Sequence, residues 1–173
     1  MKYVIAAVVA EFLAILQVSA MPYIQILGVT PDLVLIFVAC WAVVRGYEEA
    51  TIVAPLAGFI EDLASSDPFG TSAIALAPIV FLAAATRMRA VDTEFLPTVF
   101  VVASGSLAYG IISMIVLAGT GQSIEWSDSL LRVVLPTCLV NALFTPLIYL
   151  PIHALSAQRR VGAVGTGRLT SPL

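Results

Sequence analysis

Long apolar stretches separated by short polar breaks predict a chain of about six helices, each greasy on every side. A helix needs about 20 apolar residues to cross the hydrocarbon layer. Stretches at 3–21, 31–45, 49–66, 71–87, 96–118 and 130–155 carry that pattern, with the second, third and fourth running short. The third also holds Glu61 and Asp62. Short or polar spans need shielding by neighbouring helices, or sit at only part of the membrane depth, so a continuous helix is not guaranteed there. Ser65-Ser66-Asp67-Pro68-Phe69-Gly70 reads as the turn joining the third and fourth stretches.

Composition strengthens the same expectation. Of 173 residues, 60% are hydrophobic and only 11% charged, against about 25% charged in an ordinary soluble domain. Mean hydropathy is +1.03. A water-soluble fold of this size has no interior large enough for so much apolar surface. The expected class is an all-α membrane protein, with one transmembrane domain over 1–155 and a Gly-rich, basic, flexible cytoplasmic tail over 156–173. Val18-Ser19-Ala20 mimics a small-x-small cleavage site, but the run before it is long enough to span and reads as the first transmembrane segment.

Charge sets the orientation. With six spans and both termini on one side, that side receives Lys2, Arg45, Arg87, Arg89, Arg159, Arg160 and Arg168, while the other receives only Arg132. The positive-inside rule then places both termini in the cytoplasm of a multi-pass inner-membrane protein. A net charge of −3 without a basic stripe offers nothing to neutralise phosphates, so nucleic acid is not an expected partner. Membrane lipid is, and Arg159 and Arg160 are placed to touch anionic headgroups.

Polar residues inside apolar runs are the candidates for special roles. Glu11 lies mid-way along the first stretch, where an ionised side chain costs about 2.5–3.5 kcal/mol on insertion scales; the expected arrangement is a carboxyl facing the bundle interior, with a partner-helix or ligand contact as the alternative. Gly58 and Asp62 are four apart and share a helix face, with Gly70 eight residues further on. That spacing suits a close backbone approach at the glycine and a carboxylate holding the turn. Thr30-Pro31-Asp32 predicts a helix start, with Thr30 as cap, Pro31 at the first helical position and Asp32 at the positive dipole end. Asn141 precedes Pro146 by five residues and is suited to bonding freed backbone or another helix. Ala103, Ser106, Gly110 and Ser113 form a small-residue seam, as do Ala6, Ala10 and Ala14; both are candidate helix interfaces.

No chemistry-bearing constellation accompanies them. The sequence has no Gly-rich phosphate loop, no G-x-S-x-G and no H-E-x-x-H. Its one histidine, His153, and two separated cysteines, Cys40 and Cys138, make neither a zinc site nor a disulfide framework. The expectation is a non-enzyme with no cofactor and no metal.

Three motifs in order resemble a known family. Thr30-Pro31-Asp32-Leu33-Val34-Leu35-Ile36, ending in Trp41, is similar to its Pro-Asn/Asp-hydrophobic segment. Gly58, Asp62-Leu63 and Gly70 match its G-x-x-x-D-L and following turn, with Phe69 in place of the usual Leu. Val140-Asn141 with Pro146 matches its closing N-x-x-x-x-P helix. The family is MreD, the membrane component of the bacterial rod-shape system. The resemblance covers nearly the whole chain and is concentrated in 30–84 and 138–150; the acidic pair Glu61-Asp62 and Asp67 depart from many relatives.

That resemblance implies a scaffold. It would bind the single-span protein MreC, and with it link MreB filaments, indirectly, to the peptidoglycan synthases RodA and a class B penicillin-binding protein. It also implies a fold similar to the substrate-binding subunits of energy-coupling-factor vitamin transporters. A small-molecule (vitamin) binding subunit of such a transporter is the alternative function, requiring a solvated pocket near the outer face that involves Glu11, Asp62 and Asn141.

Overall fold

The computed structural model describes residues 2–65, 68–87, 95–121 and 123–166, and these are helical apart from short connections. The helices are α1 (Lys2–Ser19), α2 (Leu33–Val44), α3 (Tyr47–Ala64), α4 (Thr71–Ala75), α5 (Ala77–Arg87), α6 (Phe95–Gly119), α7 (Trp126–Ser129) and α8 (Leu135–Thr166). They form six helical units. Pro78 has no N–H to continue the ladder, and the chain re-registers at Leu76 between α4 and α5. A π-helical stretch, Leu130–Val134, carries α7 directly into α8. Among the described residues the one β feature is an isolated bridge between Ile26 and Val29.

The centre is α2. All twelve of its residues are buried, and α1, α3, α5, α6 and α8 pack around it. Twelve residues at 1.5 Å each make a rod of about 18 Å, well short of a hydrocarbon layer about 30 Å thick. Both ends of α2 therefore stop inside the protein, where backbone groups left without partners are costly. This shortness is what creates the polar site.

Polarity elsewhere is inverted relative to a soluble bundle. Leu139, Leu143, Leu147 and Leu150 are exposed along the last helix, as are Phe100 and Ile115 on α6 and Phe81 on α5. Two helices, Phe95–Gly119 and Trp126–Ser156, are long and apolar enough to cross a membrane. The shorter apolar helices include Tyr3–Ser19, Leu33–Val44 and Thr71–Thr86.

The α1 seam is closed by the chain itself, and the α6 seam packs in part against the last helical unit. Ala6, Ala10 and Ala14 are 1%, 1% and 2% exposed and lie in the core, where α1 packs on α3 and α2. On α6, a Cβ added to Gly110 would stand 2.7 Å from a Val134 methyl, and the Cys138 thiol donates to the Ala103 carbonyl at 3.1 Å. Ser106 is buried against the last helix. The buried Ser113 hydroxyl has no hydrogen-bond partner there.

Three expectations change. Glu11 is exposed on the outside of α1, not turned inward: with the alanine seam fixed on α2 and α3, a residue one position past Ala10 rotates about 100° away from it. The start of α2 also moves. Asp32 is the N-cap, with extended backbone (φ −93, ψ 94) and its carboxylate accepting from Leu35; Pro31 and Thr30 lie before the helix. Lastly, α8 continues through Thr166, because extending a formed helix adds one bond per residue without a new nucleus. Asp67, Arg89, Arg168 and positions 167–173 lie outside the described residues.

Candidate functional site

The N-terminus of α2 presents four backbone N–H groups that no helical carbonyl can reach, and side chains from three helical units take all four. The Asn141 amide oxygen, from α8, accepts from the Asp32 N–H at 2.8 Å. Gln17 of α1 uses one amide oxygen for two donors, Leu33 N–H at 2.8 Å and Val34 N–H at 3.3 Å. The Asp32 carboxylate takes the fourth, Leu35 N–H, at 2.9 Å. An apolar helix can stop in mid-bundle because these three residues stand where water would otherwise be.

The network extends to α3 and α6. Asn141 donates its amide to the Ser106 hydroxyl at 2.9 Å, and neither residue is exposed beyond 4%. Thr145 donates to the Asn141 carbonyl at 2.9 Å. Gln17 donates its amide to Glu61 Oε1 at 3.1 Å, and Tyr109 reaches the same oxygen at 3.5 Å. The Tyr109 and Ser72 hydroxyls are 3.0 Å apart. Glu61 Oε2, by contrast, is buried without a hydrogen-bond partner.

One residue on, Asp62 does something different. Its Oδ2 accepts from Gly70 N–H at 2.8 Å and its Oδ1 from Ser72 N–H at 2.9 Å. Gly70 has φ +93, the left-handed region that a side chain would strain. Gly58, one turn before Asp62, is where α3 meets α4: an added Cβ would stand 2.4 Å from Ala73 Cα and 2.5 Å from Ala73 N. Glycine, carboxylate and glycine thus form one device that folds α4 back across α3.

Beside the α2 cap lies an open cavity of about 550 Å³, lined by Gln17, Thr30, Asp32, Glu61, Ser72 and Tyr109 among others. A second, mostly apolar cavity of about 330 Å³ adjoins it and includes Ser106, Ser113 and Asn141. Glu11 and Asp62 line neither. Of Glu11, Asp62 and Asn141, only Asn141 borders a cavity, the second one, while Gln17, Glu61 and Tyr109 line the larger. Among the described residues no group of three or more His, Cys, Asp or Glu is placed to hold a metal ion. Pro146 lies inside α8 and Pro31 borders the larger cavity.

A helical bundle with apolar outward faces, organised around a short buried helix whose end is sealed by side chains, defines a membrane protein with a structural polar core. The family model described as rod shape-determining protein MreD matches residues 1–159. The chain belongs to the MreD family, and so to proteins that determine rod shape. Neither the curated proteins nor the solved structures yield a match.

Proposed function

We propose that this protein is a non-enzymatic scaffold of the bacterial cell-elongation complex. In this reading it crosses the inner membrane six times with both termini cytoplasmic. It receives the transmembrane helix of an MreC-like partner on the outward face of α1, supporting peptidoglycan synthesis by RodA and a class B penicillin-binding protein. Its Arg-bearing cytoplasmic loops remain available to a second partner, which would tie the complex indirectly to MreB. Family membership supports the role.

One observation supports the choice of α1. Glu11 is exposed half-way along a helix whose outward side is Val4, Ile5, Val8, Phe12, Ile15 and Val18. A charged residue facing lipid at mid-depth costs about 2.5–3.5 kcal/mol on insertion scales. A partner helix with a hydrogen-bond donor or a basic group at that depth offsets the cost, and interhelical hydrogen bonds contribute about 0.6–2 kcal/mol. The outward ridge Leu139, Leu143, Leu147 and Leu150 carries no such group and suits lipid. The alanine seam of α1 is buried inside the bundle and offers no surface to a partner.

The test is co-purification from detergent with the single-span partner. Glu11→Leu should reduce recovered complex about tenfold while leaving the melting temperature of the isolated protein unchanged. Full recovery of complex by that variant would reject α1 as the docking face. The transporter-subunit alternative draws support from the 550 Å³ cavity, although two acidic side chains, with no basic one among the described residues of its lining, disfavour anionic vitamins.

A further inference from the structure

The larger cavity has an electrostatic character that the scaffold role does not use. Among the described residues two acidic side chains line it, Asp32 at 9% and Glu61 at 7% exposure, and no Lys, Arg or His does. Their states of satisfaction differ. Asp32 is tied into the α2 cap through Leu35, whereas Glu61 keeps Oε2 buried and without a hydrogen-bond partner. Such an orphaned acceptor calls for an explanation, because a buried carboxylate oxygen without a donor is costly.

Among the described residues none supplies the missing donor. Gln17 gives its amide to the other oxygen, Oε1, and its own oxygen is occupied by the α2 backbone. Tyr109 lies toward Oε1 as well. Ser72 and Tyr109 engage one another. Around this acidic floor the wall is part apolar, with Ala14, Val29, Pro31 and Val133 contributing. The cavity is bordered by the α1–α2 connection, the end of α3 and the start of the last helical unit, all at one end of the bundle.

We propose that this cavity binds an organic ammonium group, its charge on Glu61 with Asp32 as second anion, and its alkyl stem against the apolar wall. An ammonium brings three donors and no acceptor, matching a lining rich in acceptors and lacking cations. A volume of about 550 Å³ falls in the range of small-molecule sites, about 300–1,000 Å³. A neutral donor would pair Oε2 without balancing the two acidic groups, and an anion would be repelled by them. The ammonium is either that of a free amine or that of a lysine side chain on a partner segment lying over the bundle end; both present the same chemistry. This site is separate from the α1 face and stands or falls independently of it.

The probe is n-butylammonium chloride, added to the full-length protein in phosphatidylcholine nanodiscs, with 1-butanol and sodium chloride as matched controls. A saturable rise in Tm of roughly 5–11 °C at a hundredfold excess over Kd is expected for n-butylammonium alone. Glu61→Gln should abolish the rise, and Glu61→Asp, which keeps the charge, should retain part of it. No saturable shift in the wild-type protein, an equal shift with 1-butanol, or an undiminished shift in Glu61→Gln would each overturn the proposal. The source is separated by repeating the titration on the complex with its single-span partner. Release of the partner by n-butylammonium assigns the ammonium to a partner lysine, and undisturbed binding of both assigns it to a free amine.

Discussion

Glu61 and Asp62 are neighbours on α3 with the same functional group, yet they belong to regions built on opposite principles. At the α3–α4 crossing every polar atom of the carboxyl has a backbone partner, and glycine lets two helices touch. At the α2 cap one oxygen of the Glu61 carboxyl is left over, buried within a side chain that lines a cavity. The first region is closed and its residues cannot be exchanged without loss. The second is satisfied where it seals the helix and unsatisfied where it borders open space, which is how a binding surface differs from a structural staple. A rotation of about 100° per residue separates them, enough to aim two adjacent carboxyls at different tasks.

The largest expected effect breaks the closed region. Gly58→Ala places a methyl against the Ala73 backbone at 2.4 Å, and backbone cannot move aside as a side chain can. Separation of α3 from α4 should cost more than about 3 kcal/mol. The measurable outcome is loss of a monodisperse peak in detergent; a folded, normally melting Gly58→Ala protein would mean the crossing is looser than drawn.

Next in size is Asp62→Ala, which leaves Gly70 N–H and Ser72 N–H without their acceptor. Losing two such partners should cost about 2–4 kcal/mol. A thermal melt reads this directly, and Asp62→Asn should recover part of the loss because one amide oxygen still accepts. Equal melting of Asp62→Ala and wild type would remove the staple from the account.

How far these regions were legible in sequence follows from the range of their contacts. The turn was readable because Gly58, Asp62 and Gly70 lie within thirteen positions, and local spacing fixes which share a face. Six helices were readable because lipid tolerates apolar residues on all sides and the runs stand out. Asn141 declared itself as a lone amide in an apolar run, but its partners Asp32 and Ser106 are 109 and 35 positions away. The roles of Gln17, Glu61 and Tyr109 were hidden for that reason: they meet across 44 and 48 positions, and only the packed bundle brings them together. Glu11 is the instructive failure. The alanine ladder on α1 already specified the inner face, and Glu11 lies off it; position in the middle of a span had been weighed, and helical phase had not.

The smallest effect on stability should come from the open region, and it sharpens the contrast. Glu61→Gln preserves the oxygen that accepts from Gln17 at 3.1 Å and replaces the unpartnered Oε2 by an amide nitrogen. No satisfied bond is lost, and a carboxyl is exchanged for a neutral group of the same shape, which costs little. The melting temperature should therefore stay level or rise, within about 1 kcal/mol of wild type. Asp62→Asn, the same chemical change one residue along, should fall, since it disrupts a carboxylate with both oxygens engaged. Were Glu61→Gln to destabilise as strongly as Asp62→Asn, the Glu61 carboxylate would be a structural element like its neighbour, and the cavity would have no anion free to meet a ligand.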